Sequence, residues 1–169
     1  LAPSAMSSFD HGTHMIDLLN SLEPEVMAVN EREFAYKEDE LILRISEAAF
    51  PFVSSNLFDP SVEGNLEGVE DYQCFEYDDY KICVMSAIDP MVIVNYLPDR
   101  IEVKDSFTSI KEMASNLRAG GADILILLAG YDFDEMGVLL EEEVVDLVLH
   151  ATSSEDKITS INNGILASQ

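Results

Sequence analysis

Two glutamates and an arginine form the group most suited to chemistry in this chain. Glu31, Arg32 and Glu33 directly follow a short apolar strand predicted at 26–29. The planar fork of an arginine binds phosphate or carboxylate groups, and a carboxylate is a candidate metal ligand. We therefore take these three residues as the candidate ligand-binding site.

The flanking segments predict how these residues are positioned. After the charged turn at 30–34, a helix is expected with Glu38, Asp39 and Glu40 in its first turn, where carboxylates suit the positive end of the macrodipole. Pro51 ends this region, and a second strand is predicted at 52–54. A strand, a helix and a strand so closely spaced form a βαβ unit with a parallel sheet. The turn then lies at the carboxyl edge of the sheet, where open α/β sheets place their sites.

This stretch resembles the calcineurin-like metallophosphoesterases, in particular their 5′-nucleotidase branch. That branch carries Gly-Asn-His-Glu-Phe-Asp after the strand and a Phe-Pro followed by Ser-x-Asn after the helix. The chain matches these motifs at Glu33-Phe34, Phe50-Pro51 and Ser54-Ser55-Asn56. Further along, LRAGGADILILL (117–128) resembles the family's Leu-Arg-x-x-Gly-Ala-Asp strand, and DLVL (146–149) resembles its Asp-Leu-Ile-Leu.

The residues that carry chemistry in the family do not match. The family's metal ligands and its catalytic histidine correspond here to Glu31, Arg32, Gly130, Thr152 and Ser154. An arginine places a permanent positive charge where two metal ions would bind, and threonine and serine are poor ligands for divalent metals. The resemblance therefore implies a retained scaffold without a catalytic residue or a bound metal, and we expect no cofactor.

The rest of the chain predicts further elements. A helix is expected at 12–22, with Met15, Leu18, Leu19 and Leu22 on its apolar face and irregular chain at 1–9 before it. Asp105 or Ser106 caps a helix that ends at Gly120-Gly121, and a strand at 124–128 and a short helix at 134–143 follow. The terminal residues predict a hairpin turning at Asn163-Gly164.

A second hairpin is predicted at 72–88, turning at Asp78-Asp79. In this register Glu76 faces Lys81, and Cys74 faces Cys83 at a non-hydrogen-bonded position, where the Cα atoms come closest. The two cysteines are then either a disulfide, which indicates an oxidising compartment, or two small buried apolar residues.

Composition restricts the partners. Nine basic and 33 acidic residues give a formal net charge of −24, which opposes nucleic acids and anionic membranes. With no apolar run near the length of a membrane span, this segment is not expected to insert into a membrane.

The resemblance implies an α/β fold, a mixed sheet flanked by helices within a four-layer αββα sandwich. We expect residues 1–169 to be a single metallophosphoesterase-like domain that lacks its first strand and first two motifs, because Leu1-Ala2-Pro3-Ser4 fits the end of the family's second motif. The family often functions in the periplasm or outside the cell, and we expect the same location here.

Three functions stay open. The first is an inactive domain that binds a small phosphorylated or carboxylate ligand, or a sensory module fused to an effector. The second is a metal-dependent nucleotide hydrolase that uses Mn²⁺ or Zn²⁺ in a rearranged site of Glu31, Glu33, His150 and residues upstream of this chain. The third is a domain that binds a protein partner and whose cleft has no function. A free Arg32 facing an open cleft favours the first, and an Arg32 paired within its own sheet favours the third.

Overall fold

The computed structural model describes residues 7–131, 136–151 and 157–168. Within these ranges the strands are β1 (Met27–Ala28), β2 (Phe52–Val53), β3 (Leu57–Phe58), β4 (Val69–Glu70), β5 (Tyr72–Tyr77), β6 (Tyr80–Ala87), β7 (Glu102–Val103), β8 (Ile124–Ala129), β9 (Leu147–His150), β10 (Lys157–Ile161) and β11 (Gly164–Ser168). The helices are α1 (Ser7–Asp10), α2 (Thr13–Leu22), α3 (Lys37–Glu47), α4 (Val92–Asn95), α5 (Ser106–Ala119) and α6 (Met136–Glu141), with a 3₁₀ helix at Glu31–Tyr36.

The larger sheet has six strands in the order β10-β11-β9-β8-β6-β5. Its four central strands are parallel, and the outer strands β5 and β10 pair antiparallel to their neighbours. The smaller sheet has the order β1-β2-β4, all parallel, and β3 pairs with β7 separately. The mixed α/β architecture predicted from the sequence is therefore confirmed.

Two apolar cores lie on the helix-covered sides of the sheets. The first core contains Ile110, Ala114 and Leu117 of α5 together with Leu125 and Leu127 of β8. The second core surrounds the small sheet and includes Phe34, Leu41 and Phe52. Helix α5 begins as predicted, because the Asp105 side chain accepts a hydrogen bond from Thr108 N.

The predicted βαβ unit is confirmed. Met27 pairs with Phe52 in parallel β1 and β2, and α3 with its acidic first turn connects them. The segment after β1 is a 3₁₀ helix rather than the expected turn, and the Asn30 side chain caps it by accepting from Glu31 N at 3.0 Å. Glu31, Arg32 and Glu33 thus lie on one turn of helix directly after the carboxyl end of β1.

Three predictions about the ends of the chain were wrong. Residues 7–10 form α1 instead of irregular chain, and α2 buries Ile16 at 1% exposure while Leu18 and Leu22 remain 53% and 68% exposed. The C-terminal hairpin turns at Asn162-Asn163, one residue earlier than predicted. Gly164 begins β11 opposite Ile161, and a Cβ there would lie 2.6 Å from Leu140 Cδ2, so any other residue requires the Leu140 side chain to move.

The register predicted for the 72–88 hairpin is confirmed. Tyr77 pairs with Tyr80, and Glu76 pairs with Lys81. In the same register Cys74 faces Cys83, their Cα atoms are 4.1 Å apart, and a disulfide joins the two residues across β5 and β6. This bond fastens the edge strand β5 to the core of the larger sheet.

Candidate functional site

A cleft of about 950 Å³ opens where the carboxyl ends of β1, β8 and β9 meet. Parallel strands place the residues that follow them at the same edge, so the site lies where the βαβ unit predicted it. The lining residues are Ala28, Asn30, Leu128, Ala129, Gly130, Leu149, His150, Ala151, Ile158, Ala167 and Ser168.

Asn30 and Gly130 are in direct contact in this cleft. A Cβ built on Gly130 would lie 2.5 Å from Asn30 Oδ1 and 2.6 Å from Asn30 Nδ2, closer than real Cβ contacts come. The Asn30 amide is held in this place because its Oδ1 accepts the hydrogen bond from Glu31 N. Any side chain at position 130 therefore requires the amide to move.

His150 is the second polar side chain that the β-strand ends bring to the cleft. Its backbone pairs with Ala129 on β8, next to Gly130, and the residue is only 9% exposed. Within the described ranges, no hydrogen bond or ion pair engages its ring. The ring nitrogens of His150 are therefore available for a hydrogen bond to a ligand.

The three residues singled out from the sequence lie beside the cleft and do not line it. Glu31 accepts a hydrogen bond from Asn95 Nδ2 at 3.2 Å. Arg32 is exposed and has no hydrogen-bond or ion-pair partner in the part of the chain that the structure describes. Glu33 is 8% exposed, and its burial raises the pKa of the carboxyl above its usual range.

The remaining candidates from the sequence do not all lie at the cleft. Gly130 lies in the cleft wall, whereas Thr152 and Ser154 fall outside the described residues. The Cys74–Cys83 disulfide lies on β5 and β6, at the other edge of the larger sheet from β10.

Three of the matched motif residues, Asn56, Arg118 and Asp146, have structural roles. Asn56 is fully buried and its side chain bonds the Ile88 backbone through both N–H and C=O. The Arg118 guanidinium donates to Asp146 Oδ2 at 2.7 Å, and the same carboxylate accepts from Leu125 N at 2.6 Å. These three side chains thus complete backbone hydrogen bonds or ion pairs between different elements of the fold.

Among the described residues, the side chains near the cleft do not form a two-metal centre. A pair of divalent ions needs a dense set of carboxylate, imidazole and similar ligands. Here the cleft offers one imidazole and one amide, and among the described residues no group of three or more His, Cys, Asp and Glu is placed to hold a metal ion. His11 and His14 are occupied elsewhere, by Glu40 and Asp10.

Sequence reasoning did not select Asn30, and it named His150 only as a member of a rearranged site. The available signal was position: each is a polar residue at the carboxyl end of an apolar strand. Asn30 and Gly130 are far apart in the sequence, so no local sequence pattern could have predicted their contact.

No protein-family model matches the chain, and no curated protein matches it. Solved structures do match. A sulfate thiohydrolase from Thermus thermophilus superposes with a TM-score of 0.83 at 18% identity, over 98% of this chain and 31% of that one. The NAD nucleotidase of Haemophilus influenzae gives 0.84 at 14% identity, over 100% of this chain and 38% of that one. A calcineurin-like phosphoesterase from Bacillus subtilis gives 0.77 at 19% identity, over 91% and 56%.

At these identities the likeness shows the fold, which is that of the calcineurin-like phosphoesterases and 5′-nucleotidases. The chain spans between 31% and 56% of the length of the three structures just described. Within the described residues, no helix is long and apolar enough to cross a membrane.

Proposed function

We propose that this chain is a 5′-nucleotidase-like phosphoesterase domain that binds a small ligand without hydrolysing it. The observation that carries the proposal is the contact between Asn30 and Gly130. Gly130 corresponds to a metal-binding histidine of the family that the sequence resembles, and a Cβ at this position would already lie 2.5 Å from Asn30 Oδ1. The Asn30 amide therefore occupies the space that a histidine side chain at position 130 would need.

The electrostatics support the same proposal. Hydrolysis of a phosphoester requires cations, usually metal ions, that neutralise the phosphate. The chain carries a formal net charge of −24, and no Lys or Arg is among the described residues that line the cleft. Glu31, at the position of the family's metal-binding asparagine, is bonded to Asn95 outside the cleft lining.

Arg32 is the proposed contact for a carboxylate or phosphate group on the ligand. It lies two residues beyond Asn30, which is in the cleft wall, and its guanidinium is exposed. The bidentate geometry of arginine suits both kinds of anion. Glu31 and Glu33 flank it and complete the proposed site.

We also propose that residues 1–169 belong to one domain whose first strand and first two motifs lie upstream. The side chains of Leu149, Ile158 and Ile165 on one side of the larger sheet are 42%, 77% and 44% exposed, which suits coverage by further chain. The disulfide between Cys74 and Cys83 supports a periplasmic or extracellular location, where such bonds persist.

Two measurements test the absence of hydrolysis. Phosphate release from nucleotides is assayed with Mn²⁺ or Zn²⁺ added, and metal content of the purified chain is measured by elemental analysis. We expect background phosphate release and no stoichiometric metal. Metal-dependent release that is lost in His150→Ala would instead establish the hydrolase with a rearranged site.

Binding is tested by the thermal midpoint with nucleotides and with dicarboxylates. A ligand at about 100 times its dissociation constant adds about 2.7 kcal/mol of stability, which is readily detected. We expect a metal-independent shift that Arg32→Ala reduces and that Lys104→Ala, the loss of an exposed cation outside the cleft lining, does not. Equal shifts in both variants would reject Arg32 as the anion contact.

A further inference from the structure

Strand β5 has one side of its backbone without a strand partner among the described residues. It is the outermost strand of the six-stranded sheet, and only the side that faces β6 is paired. The strand contains neither proline nor lysine, two residues that usually protect an exposed edge. Such an edge presents N–H and C=O groups to which a further extended strand can bind.

The register shows which backbone groups point away from β6. In an antiparallel pair, hydrogen-bonded and non-hydrogen-bonded positions alternate, and the Cα atoms come closest at the non-hydrogen-bonded ones. Cys74 and Cys83 pair at such a position, with Cα atoms 4.1 Å apart. Tyr72 and Glu76, two residues to either side of Cys74, therefore also direct their N–H and C=O groups to the free edge. Within the described residues, the one partner at this edge is Gln73 Nε2, which donates to Cys74 O at 3.2 Å.

A disulfide holds this edge in its extended form before any partner binds. Cys74 is joined to Cys83, whose side chain is 0% exposed in the first core, so the outer strand is anchored near its middle. Binding to an ordered edge avoids the cost of fixing a flexible segment, which otherwise reduces affinity. The β5 edge is therefore pre-formed for pairing with one extended strand.

The side chains around the edge select the charge of that strand. Glu76 lies in β5, and Asp78 and Asp79 form the turn that follows it. Within the described residues, none of these three carboxylates has a hydrogen-bond or ion-pair partner. Lys81 is directly opposite Glu76 but donates to Gly120 O at 2.9 Å. The carboxylates are thus available to the lysine or arginine side chains of a partner.

Exposed aromatic rings flank the same edge. Tyr72 is 41% exposed at one end of β5, and Tyr77 and Tyr80, which pair across the turn, are 69% and 57% exposed. Aromatic rings contact both apolar side chains and the cations of lysine and arginine. Because successive side chains of a strand point to opposite faces, this surface suits a strand in which basic and apolar residues alternate.

We propose that the β5 edge binds an extended basic peptide segment of a protein partner, which adds a further strand to the larger sheet. A second copy of the chain is disfavoured, because pairing of two β5 edges would bring the Glu76 carboxylates of both copies to one edge and each copy carries a formal net charge of −24. The inference goes beyond the proposed function and is independent of it, since no residue of β5 lines the cleft.

A short peptide of alternating lysine and valine, blocked at both ends, is the probe. Titration calorimetry of the 169-residue chain should show one peptide bound per chain, with an affinity that falls as salt is added. The same peptide with an N-methyl group at every residue keeps its charge but cannot donate backbone hydrogen bonds, and it should bind about tenfold or more weakly. Equal affinity of the two peptides would show adventitious attraction to an acidic chain and overturn the proposal, as would no measurable binding of the unmethylated peptide.

Two variants at one position separate backbone pairing from charge. Glu76→Thr and Glu76→Pro both remove the carboxylate, but only proline also removes the outward N–H and obstructs the edge with its ring. Proline is compatible with the hairpin because this N–H does not bond β6, and circular dichroism checks that both variants fold. We expect Glu76→Pro to bind the unmethylated peptide about tenfold or more weakly than Glu76→Thr. Equal binding in the two variants refutes pairing at this edge.

Amide hydrogen exchange locates the added strand in the unaltered chain. With the peptide bound, the N–H groups of Tyr72, Cys74 and Glu76 should exchange about tenfold or more slowly, whereas their neighbours in β5 already bond β6 and should change little. Protection confined to another part of the chain overturns the proposal. A dimer that forms without peptide and that Glu76→Pro dissociates would assign the edge to a second copy and overturn it as well.

Discussion

Replacing Asn56 with alanine should remove one of the strongest polar connections in the fold. The residue is 0% exposed, and its Nδ2 lies 3.0 Å from Ile88 O, 3.2 Å from Lys104 O and 3.0 Å from Ser106 Oγ. Its Oδ1 accepts from Ile88 N at 2.9 Å. One amide thereby joins the chain after β2 to the ends of β6 and β7 and to the start of α5.

The magnitude follows from the groups left without partners. Ile88 is 0% exposed, and the variant removes the side-chain partner of both its N–H and its C=O. An unsatisfied buried polar group costs about 1–3 kcal/mol, so two such groups predict a loss of about 3 kcal/mol. Ser106 Oγ retains the Tyr131 hydroxyl as a partner and adds little to the loss. For a domain of this size the midpoint of thermal unfolding should fall by about 6–12 °C.

Urea unfolding followed by circular dichroism measures this loss. Asn116→Ala removes the same amide from the exposed face of α5 and should change the free energy of unfolding by less than about 0.5 kcal/mol. If Asn56→Ala also remains within about 1 kcal/mol of the parent chain, the buried amide does not carry the polar connection and the reasoning fails.

Three further changes test other parts of the structure. Gly130→Ala should cost about 1–3 kcal/mol in urea unfolding because its Cβ displaces the Asn30 amide, whereas Gly137→Ala, where a Cβ meets nothing within 4 Å, should not destabilise. Reducing the Cys74–Cys83 disulfide should lower the free energy of unfolding by about 2–3 kcal/mol, because the unfolded chain is no longer constrained by the closed loop. The two cysteines should become alkylated only after reduction, and alkylation without reductant would disprove the bond. Burial raises the pKa of Glu33 in the folded chain, so the folded state keeps this proton to higher pH than the unfolded state, and stability falls as pH rises past the usual glutamate value of about 4.3. Glu33→Gln should therefore gain stability relative to the parent chain as the pH rises above about 4.3, and a pH-independent difference between the two would contradict this.

Local patterns predicted the parts of the fold that local physics decides. The hairpin pairing Cys74 with Cys83 follows from counting outward from a two-residue turn, and the βαβ unit follows from apolar segments separated by one amphipathic helix. Where two faces of a helix compete, the pattern is ambiguous. In α2 several leucines suggested one face, but the core accepts Ile16 and leaves Leu18 in solvent.

The sequence predicted where the candidate site lies in the fold, but it did not predict which residues line the cleft. The carboxyl edge of the sheet follows from the topology, and the segment after β1 was selected correctly as its neighbourhood. Which residue of that segment faces the cleft depends on how the 3₁₀ helix leaves the strand. The structure gives this position to Asn30 and places Arg32 outside the lining. Tertiary geometry of this kind is not encoded in the residue types alone.

At the two contacting positions 30 and 130, the large and the small residue have changed places relative to the family motifs that the chain resembles. The resemblance assigns glycine to position 30 and a metal-binding histidine to position 130, whereas this chain has the large polar group on the β1 side and the glycine on the β8 side. Because a Cβ on Gly130 would lie 2.5 Å from Asn30 Oδ1, a side chain at position 130 requires the Asn30 amide to leave its present place. His150 also stands where the resemblance assigns glycine, and it lines the same cleft. A histidine introduced at position 130 alone would therefore have to displace the Asn30 amide, whereas the same change together with Asn30→Gly would not.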